Sequence, residues 1–157
     1  MRRLSRHFGF TSTLLNVIGK LLDLDGKEQG KFFILNYHRI LECPDVLLES
    51  DPDVSTFRWH MELLAECFNV VPLHEAIQSL RTRSLAPRTV CITFDDGYRS
   101  VHDLALPILR ELDLSATVFV TSGHMRTGNM WNDNIIDTLR YLPRGRLDLK
   151  EVGLGIY

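Results

Sequence analysis

Short apolar runs alternate with helical patterns along most of the chain. Three runs of largely apolar, aromatic or β-branched residues predict strands that are buried on both faces: KFFILNY (31–37), RTVCITF (88–94) and SATVFVTSG (115–123). NVV (69–71) predicts a shorter strand of the same kind. Because helical segments separate these runs, the strands are expected to be parallel, joined by crossover helices.

Apolar residues at helical spacing predict helices over 55–67, 74–83, 100–112 and 132–142. In the first of them Ser55 is the expected N-cap. The apolar stripe of that helix consists of Phe57, Met61, Leu64, Ala65 and Phe68. Helices that alternate with doubly buried strands are typical of an α/β protein, in which the helices lie outside a parallel sheet.

Two segments depart from these regular patterns. Pro107 falls inside the third predicted helix, and since proline removes a helical hydrogen bond, we expect a kink or an irregular turn there. The final segment, LDLKEVGLGIY (147–157), alternates in a way that predicts an edge strand or one arm of a hairpin. Neither segment changes the predicted fold class.

The first 30 residues begin basic and then turn apolar. Asn16, Gly19 and Lys20 interrupt the apolar run and no small-residue cleavage site follows, so a secretory signal is not indicated. The run is also too short and too polar to span a bilayer. We expect residues 1–30 to form an amphipathic helical extension packed on one domain over 31–157. Contact with a membrane surface is the alternative role of this helix.

Composition excludes several classes of protein. With 157 residues, 45% hydrophobic, 24% charged and a net charge of -2, the chain fits an ordinary globular domain and has no basic face for nucleic acid. Its three cysteines are widely spaced, which argues against a disulfide scaffold and a cysteine-rich zinc site. Without a clear export signal, the cytoplasm or the inner membrane face is the favoured location.

Polar side chains follow the predicted strands at the points where they end. His38 follows the first strand, Asp95 and Asp96 follow the third, and Thr121 and Ser122 close the fourth. Functional residues of parallel α/β folds gather at the carboxyl ends of the strands. The sequence therefore predicts one site that contains these residues.

Asp95 and Asp96 are adjacent, so in a regular strand their side chains would point to opposite faces. Gly97 follows at once and permits a sharp turn, after which both carboxylates can reach one pocket from different directions. That arrangement suits two separate roles, one acid binding a metal and the other acting as a base. The competing interpretation is that these acids only form a turn or cap the next helix.

TFDDGY (93–98) resembles the first signature of the polysaccharide deacetylases, the carbohydrate esterases that share the NodB homology domain. Three further segments resemble other parts of these proteins: FILNYHRI (33–40), LPILRELDLSATVFVTSG (106–123) and MWNDNIIDTLR (130–140). The resemblance covers about 31–157. It implies a distorted (β/α) barrel that removes N-acetyl, or sometimes O-acetyl, groups from an acetylated polysaccharide with the help of a divalent metal, typically zinc.

By position in the motif, the resemblance assigns Asp95 as the catalytic base and Asp96 as the metal-binding acid. His38, Tyr98, Thr121 and Ser122 are the candidates to face the sugar. The family completes its metal site with a His-Ser/Thr-x-x-His motif, which this sequence lacks, since no two of its histidines are four residues apart. Those histidines are His7, His38, His60, His74, His102 and His124. Among them His38 is the one placed to be an extra ligand, although a hydrogen-bonding or substrate-facing role is the favoured interpretation.

Two accounts of the chain follow from this departure. We expect it to be the front part of a deacetylase that ends before the barrel closes, because such barrels take about 250 residues. The open sheet would then leave strand edges exposed and make the isolated chain poorly soluble. The alternative is a short, catalytically inactive protein on the same scaffold that binds carbohydrate or acts as an assembly protein.

Overall fold

The computed structural model describes residues 31–124, 130–142, 145–146 and 148–156. The predicted N-terminal helix over 1–30 lies outside them. The described residues fall into two compact units, one that ends at Thr121 and one that begins at Ser122. Within the described residues, no helix combines the length and the apolarity needed to cross a membrane.

The first unit is built from β1 (Phe33–Tyr37), α1 (Val54–Cys67), β2 (Asn69–Val70), α2 (Leu73–Arg81), β3 (Thr89–Phe94), a π-helical turn (Val101–Ala105) that continues into α3 (Leu106–Glu111), and β4 (Ala116–Val118). The second unit contains a 3₁₀ turn (Ser122–His124), α4 (Trp131–Tyr141), β5 (Asp148–Leu149), a 3₁₀ turn (Lys150–Val152) and β6 (Gly155–Ile156). These bounds agree with the predicted order of elements.

The sheet of the first unit is parallel throughout, as predicted, and β3 is its central strand. β1 pairs with β3 along one edge, with Phe33 opposite Val90 and Tyr37 opposite Phe94. Along the other edge, β2 pairs with the start of β3 and β4 pairs with its end. All six residues of β3 are buried. The carboxyl ends of β1, β3 and β4 therefore lie next to one another, and Asp95, Asp96 and Thr121 follow the ends of β3 and β4.

The core lies against one face of β3. Alternate residues of that strand pack with α1 and with the helical segment 101–111 in one apolar cluster. The cluster consists of Ile40, Phe57, Met61, Leu64, Val90, Ile92, Phe94, Val101, Ala105, Ile108 and Leu109. Tyr37 adds an aromatic contact, its ring centroid lying 5.3 Å from that of Phe57 and 5.6 Å from that of Phe94. Every buried residue among those the structure describes belongs to this first unit.

The prediction that β1 and the run 115–123 are buried strands is wrong. Four of the five residues of β1 are exposed, because β1 is paired along β3 alone in the described part of the chain. β4 contains only three residues, and Phe119 and Val120 beyond it are about half exposed. Apolar composition favours a strand, but the position of that strand in the sheet decides whether it is buried.

Details of the helices also differ from expectation. Asp53, not Ser55, caps α1, since its carboxylate accepts a hydrogen bond of 2.8 Å from the Thr56 amide. Ala65 and Phe68 are exposed, whereas Cys67 is buried on the helix stripe. The irregular turn expected near Pro107 is present as the π-helical turn over 101–105. The tail forms a short antiparallel pair of β5 and β6, in agreement with the predicted hairpin arm.

Candidate functional site

The chain turns sharply where β3 ends. The Asp95 amide donates to the Tyr37 carbonyl at 2.8 Å, so this residue still continues the ladder with β1. Asp96 and Gly97 then both adopt positive φ angles, 70° and 71°. Aspartate tolerates the left-handed region better than most residues. The turn expected at Gly97 therefore begins one residue earlier, at the second acid.

Gly97 is required at this turn for two reasons. Its φ lies in the region that side chains disfavour, and a Cβ built on it would lie 3.1 Å from the Val120 side chain. The segment that follows β4 therefore packs closely against the turn that follows β3. Both acids are held beside this contact.

Asp95 is held by β1. The Asn36 side-chain amide donates to Asp95 Oδ2 at 2.8 Å, and the buried Thr93 hydroxyl donates to Asn36 Oδ1 at 2.9 Å. The β1–β3 register makes this possible because it places Asn36 directly opposite Thr93. Sequence reasoning missed Asn36, although an asparagine within the apolar run KFFILNY was an available signal, since asparagine is depleted in strands.

Asp96 is held by a residue from the other edge of β3, where β4 pairs. The Thr121 hydroxyl donates to Asp96 Oδ1 at 3.0 Å. Thr121 follows the end of β4, so the two acids have different partners on different neighbours of β3. Of the residues that the sequence placed at strand ends, the structure joins Asp96 and Thr121 directly. Separate anchoring explains how adjacent carboxylates are directed differently.

Tyr98 lies in a network that ties together the loops after β1 and β3. The Arg39 guanidinium carbon lies 4.1 Å from the centre of the Tyr98 ring, and Arg39 Nη2 donates to the Tyr98 hydroxyl at 2.8 Å. Arg39 Nε lies 3.2 Å from Asp51 Oδ2 in a largely buried ion pair. The Ile40 amide adds a hydrogen bond of 3.1 Å to the Ser100 hydroxyl. The predicted site residue Tyr98 is thus fixed by an arginine that the sequence analysis did not single out.

Two other predicted residues are exposed. His38 is exposed after β1, and the described residues form no hydrogen bond with it. Ser122 is exposed in the 3₁₀ turn that opens the second unit. Their roles stay predictions.

A cavity of about 600 Å³ lies beside the carboxyl end of β1. Asn36 lines it and also donates to Asp95, so the cavity adjoins the acid pair. Its wall includes four acids: Asp45, Glu49, Asp51 and Asp53. Tyr37 and His60 also line it, with Tyr37 Oη 3.2 Å from His60 Nδ1. Burial raises the pKa of Tyr37 and lowers the pKa of His60, so both groups are held neutral near pH 7.

A catalytic zinc ion usually needs three protein ligands. Across 31–124 and the later described segments, no three histidine, cysteine, aspartate or glutamate side chains are grouped so that they could hold a metal ion. Asp96 offers one carboxylate, and one of its oxygens accepts the Thr121 hydroxyl. These residues by themselves do not fit a catalytic zinc site.

Comparison with known proteins agrees with the resemblance found in the sequence. The polysaccharide deacetylase family model matches residues 82–141, which include the acid pair. A poly-beta-1,6-N-acetyl-D-glucosamine N-deacetylase from Staphylococcus epidermidis is 25% identical over 125 residues, 69% of this chain. The chain spans 42% of the length of that relative.

Two solved structures are similar to the chain. IcaB from Ammonifex degensii is 29% identical with a TM-score of 0.54, over 60% of this chain and 40% of that protein. The deacetylase PplD from Streptococcus pyogenes, in complex with acetate, is 24% identical with a TM-score of 0.54, over 70% of this chain and 52% of that protein. The second likeness shows the fold alone. Together they support an α/β fold that this chain shares with these two proteins.

Proposed function

Because residues 82–141 match the polysaccharide deacetylase family model, we propose that the protein is a hydrolase that removes acetyl groups, N-acetyl groups above all, from a polysaccharide. The name of the Staphylococcus epidermidis relative supports a β-1,6-linked N-acetylglucosamine polymer as the class of substrate. The observation that carries the proposal is the acid pair after β3. Asp95 accepts a hydrogen bond from Asn36 of β1, and Asp96 accepts one from Thr121, which follows β4.

Asp95 acts as the general base in this proposal. Asn36 occupies its Oδ2, whereas no side chain or amide of the described residues donates to Oδ1. Oδ1 is therefore the atom assigned to accept the proton of the attacking water. A positioned carboxylate of this kind contributes about 10²- to 10⁴-fold to a hydrolytic rate.

Asp96 is proposed as one ligand of a divalent metal, zinc by the family resemblance. The remaining ligands are not supplied as a cluster by the described residues. Thr121 supports this role because its hydroxyl fixes one carboxylate oxygen and thereby the direction of the other. Of the predicted sugar-facing residues, Tyr98 and His38 belong to the loops beside the acids. Ser122 is retained from the sequence alone.

The family resemblance also supports a proposal for the fold. We propose that the parallel sheet of β1 to β4 is part of a distorted (β/α) barrel of the NodB type. In this proposal residues 31–157 form part of that domain, and residues 1–30 form a helical extension. Among the described residues β1 is paired along one edge only, and in this proposal a further strand of the barrel would pair with its other edge.

The test is acetate release from an N-acetylated β-1,6-linked glucosamine oligosaccharide by the full-length protein. Asp95→Asn should lower kcat by about 10²-fold or more with little change in the free energy of unfolding. Asp113→Asn is the control, since Asp113 is an exposed acid in the turn after α3, outside the proposed site. A chelator should abolish turnover and added zinc should restore it. If Asp95→Asn instead leaves turnover unchanged and destabilises the fold, the acid only shapes the turn.

A second function is favoured by one observation, the lack of a three-ligand cluster in the described residues. A protein on this scaffold that binds acetylated oligosaccharide without hydrolysing it would need no such cluster. Calorimetry with the same oligosaccharide separates the two functions. Binding without acetate release, with zinc present, supports the binding protein.

A further inference from the structure

Asn36 occupies an unusual place for an amide side chain. It is the fourth residue of β1, inside an otherwise apolar and aromatic strand. Asparagine is among the residues that strands disfavour, so its presence there carries an intrinsic cost. The structure gives it two defined partners, Thr93 on one side and Asp95 on the other.

The direction of the Asn36 amide is set by Thr93. A hydroxyl has one proton to donate, and the Thr93 hydroxyl lies 2.9 Å from Asn36 Oδ1 but 3.4 Å from the Leu35 carbonyl. The shorter contact is the stronger one. Because Oδ1 thereby faces Thr93, the donor Nδ2 must face Asp95.

The backbone fixes the same three residues independently. Asn36 and Thr93 are directly opposed in the parallel register, and the Asp95 amide donates to the Tyr37 carbonyl at 2.8 Å. The hydrogen bonds that link the side chains of Thr93, Asn36 and Asp95 therefore join two paired strands. Asp95 Oδ1 accepts no hydrogen bond from the described residues, so it is the oxygen assigned to accept a proton from outside this hydrogen-bond chain.

We propose that Asn36 is a positioning residue for deacetylation, which orients the Asp95 carboxylate, and that Thr93 sets the direction of the Asn36 amide. This inference rests on the proposed function. Asn36 touches neither water nor sugar in this role; it acts through Asp95. A hydrogen bond to a carboxylate restricts its rotation, so that one oxygen stays directed at the attacking water throughout the reaction.

The test compares substitutions at Asn36 in the full-length protein. Asn36→Ala should lower kcat by about 10- to 100-fold, the range that corresponds to a hydrogen bond to a charged group. KM should change less than twofold, since Asn36 is not assigned a contact with the sugar. Asn36→Asp should lower kcat further, because it keeps the shape but faces Asp95 with a second carboxylate.

Substitutions at Thr93 separate a positioning role from a merely structural one. Thr93→Val keeps the shape but removes the hydroxyl, so kcat should fall. Thr93→Ser keeps the hydroxyl but removes a buried methyl group, so it should be less stable and yet restore most of the kcat that Thr93→Val loses. Opposite orders of kcat and stability for these two variants are the signature of positioning.

The other end of β3 offers a matched control. Asn69 in β2 is likewise an exposed asparagine that contacts a buried threonine of β3, although here the asparagine amide donates to the Thr89 hydroxyl, at 3.4 Å. Asn69→Ala should leave kcat unchanged. The inference is overturned if wild type is active and Asp95→Asn is inactive while Asn36→Ala keeps its kcat within twofold. If wild type releases no acetate, or Asp95→Asn remains active, the proposed function fails and this inference fails with it.

Discussion

β1 and β3 are neighbouring parallel strands of similar apolar composition, yet they have opposite environments. Phe94 at the end of β3 is 0% exposed, whereas Phe33 at the start of β1 is 66% exposed. β3 has hydrogen-bonded strands along both edges and packs under α1 and the helical segment 101–111, while β1 is paired along one edge among the described residues. Burial in this sheet thus follows from the number of neighbours and not from the residues of the strand.

The largest expected effect comes from replacing a phenylalanine by alanine in each of the two strands. Phe94→Ala should lower the free energy of unfolding by about 3–5 kcal/mol, because it leaves a cavity between Tyr37 and Phe57. Phe33→Ala should cost less than about 1 kcal/mol. Urea denaturation followed by tryptophan fluorescence measures both. Equal costs would mean that β1 is as deeply packed as β3.

The segments after β3 and β4 each contain a glycine, and replacing each glycine by alanine compares the two segments. Gly97→Ala should cost about 1–3 kcal/mol, since it combines a left-handed backbone with a contact of 3.1 Å to Val120. Gly123→Ala is the control, because a Cβ there meets nothing within 4 Å. Thermal unfolding of the two variants gives the difference. If Gly97→Ala is as stable as wild type, the turn after β3 has more freedom than its geometry indicates.

The exposed side of β1 can be charged with little effect on folding. Ile34→Lys should change the free energy of unfolding by less than about 0.5 kcal/mol, because Ile34 is 51% exposed. It should also reduce self-association, since lysine on an edge strand opposes pairing with another chain. Static light scattering at increasing concentration measures this. A loss of stability comparable to that of Phe94→Ala would contradict the exposed placement.

The smallest expected effect concerns pH and the cavity beside β1. Burial lowers the pKa of His60 below its unfolded value of 6.5. As the pH falls through 6.5, the unfolded chain binds a proton that folded His60 resists, so stability present above that pH is lost below it. His60→Gln should therefore flatten the dependence of Tm on pH between about 7 and 5. An unchanged slope would show that His60 is not desolvated.

Much of the fold follows from local patterns in the sequence. Periodicity predicts every strand and helix of the first unit, because alternating helices and apolar runs leave few other arrangements. It fails for the burial of β1 and for the length of β4, since pairing partners are set by distant parts of the chain. It also gives Ser55 as the cap where Asp53 takes that role, and both are equally good caps.

The site shows the same division. The motif predicts Asp95 and Asp96, and the strand-end rule adds Thr121, which the structure joins to Asp96. Asn36 and Arg39 were not predicted as partners, because their contacts with Asp95 and Tyr98 depend on the register of β1 against β3. Register is a long-range property that no single segment of sequence encodes.

The parallel register also has a consequence for the order of folding. The Thr121–Asp96 contact closes a loop of 25 residues, whereas the Asn36–Asp95 contact closes one of 59. Each doubling of a loop costs only about 0.6 kcal/mol in entropy, but β1 recovers little of that cost because most of its side chains remain exposed. We therefore expect β4 to dock on β3 before β1 does. Asp96 then acquires its partner early, and Asp95 gains its own only when the last strand joins the sheet.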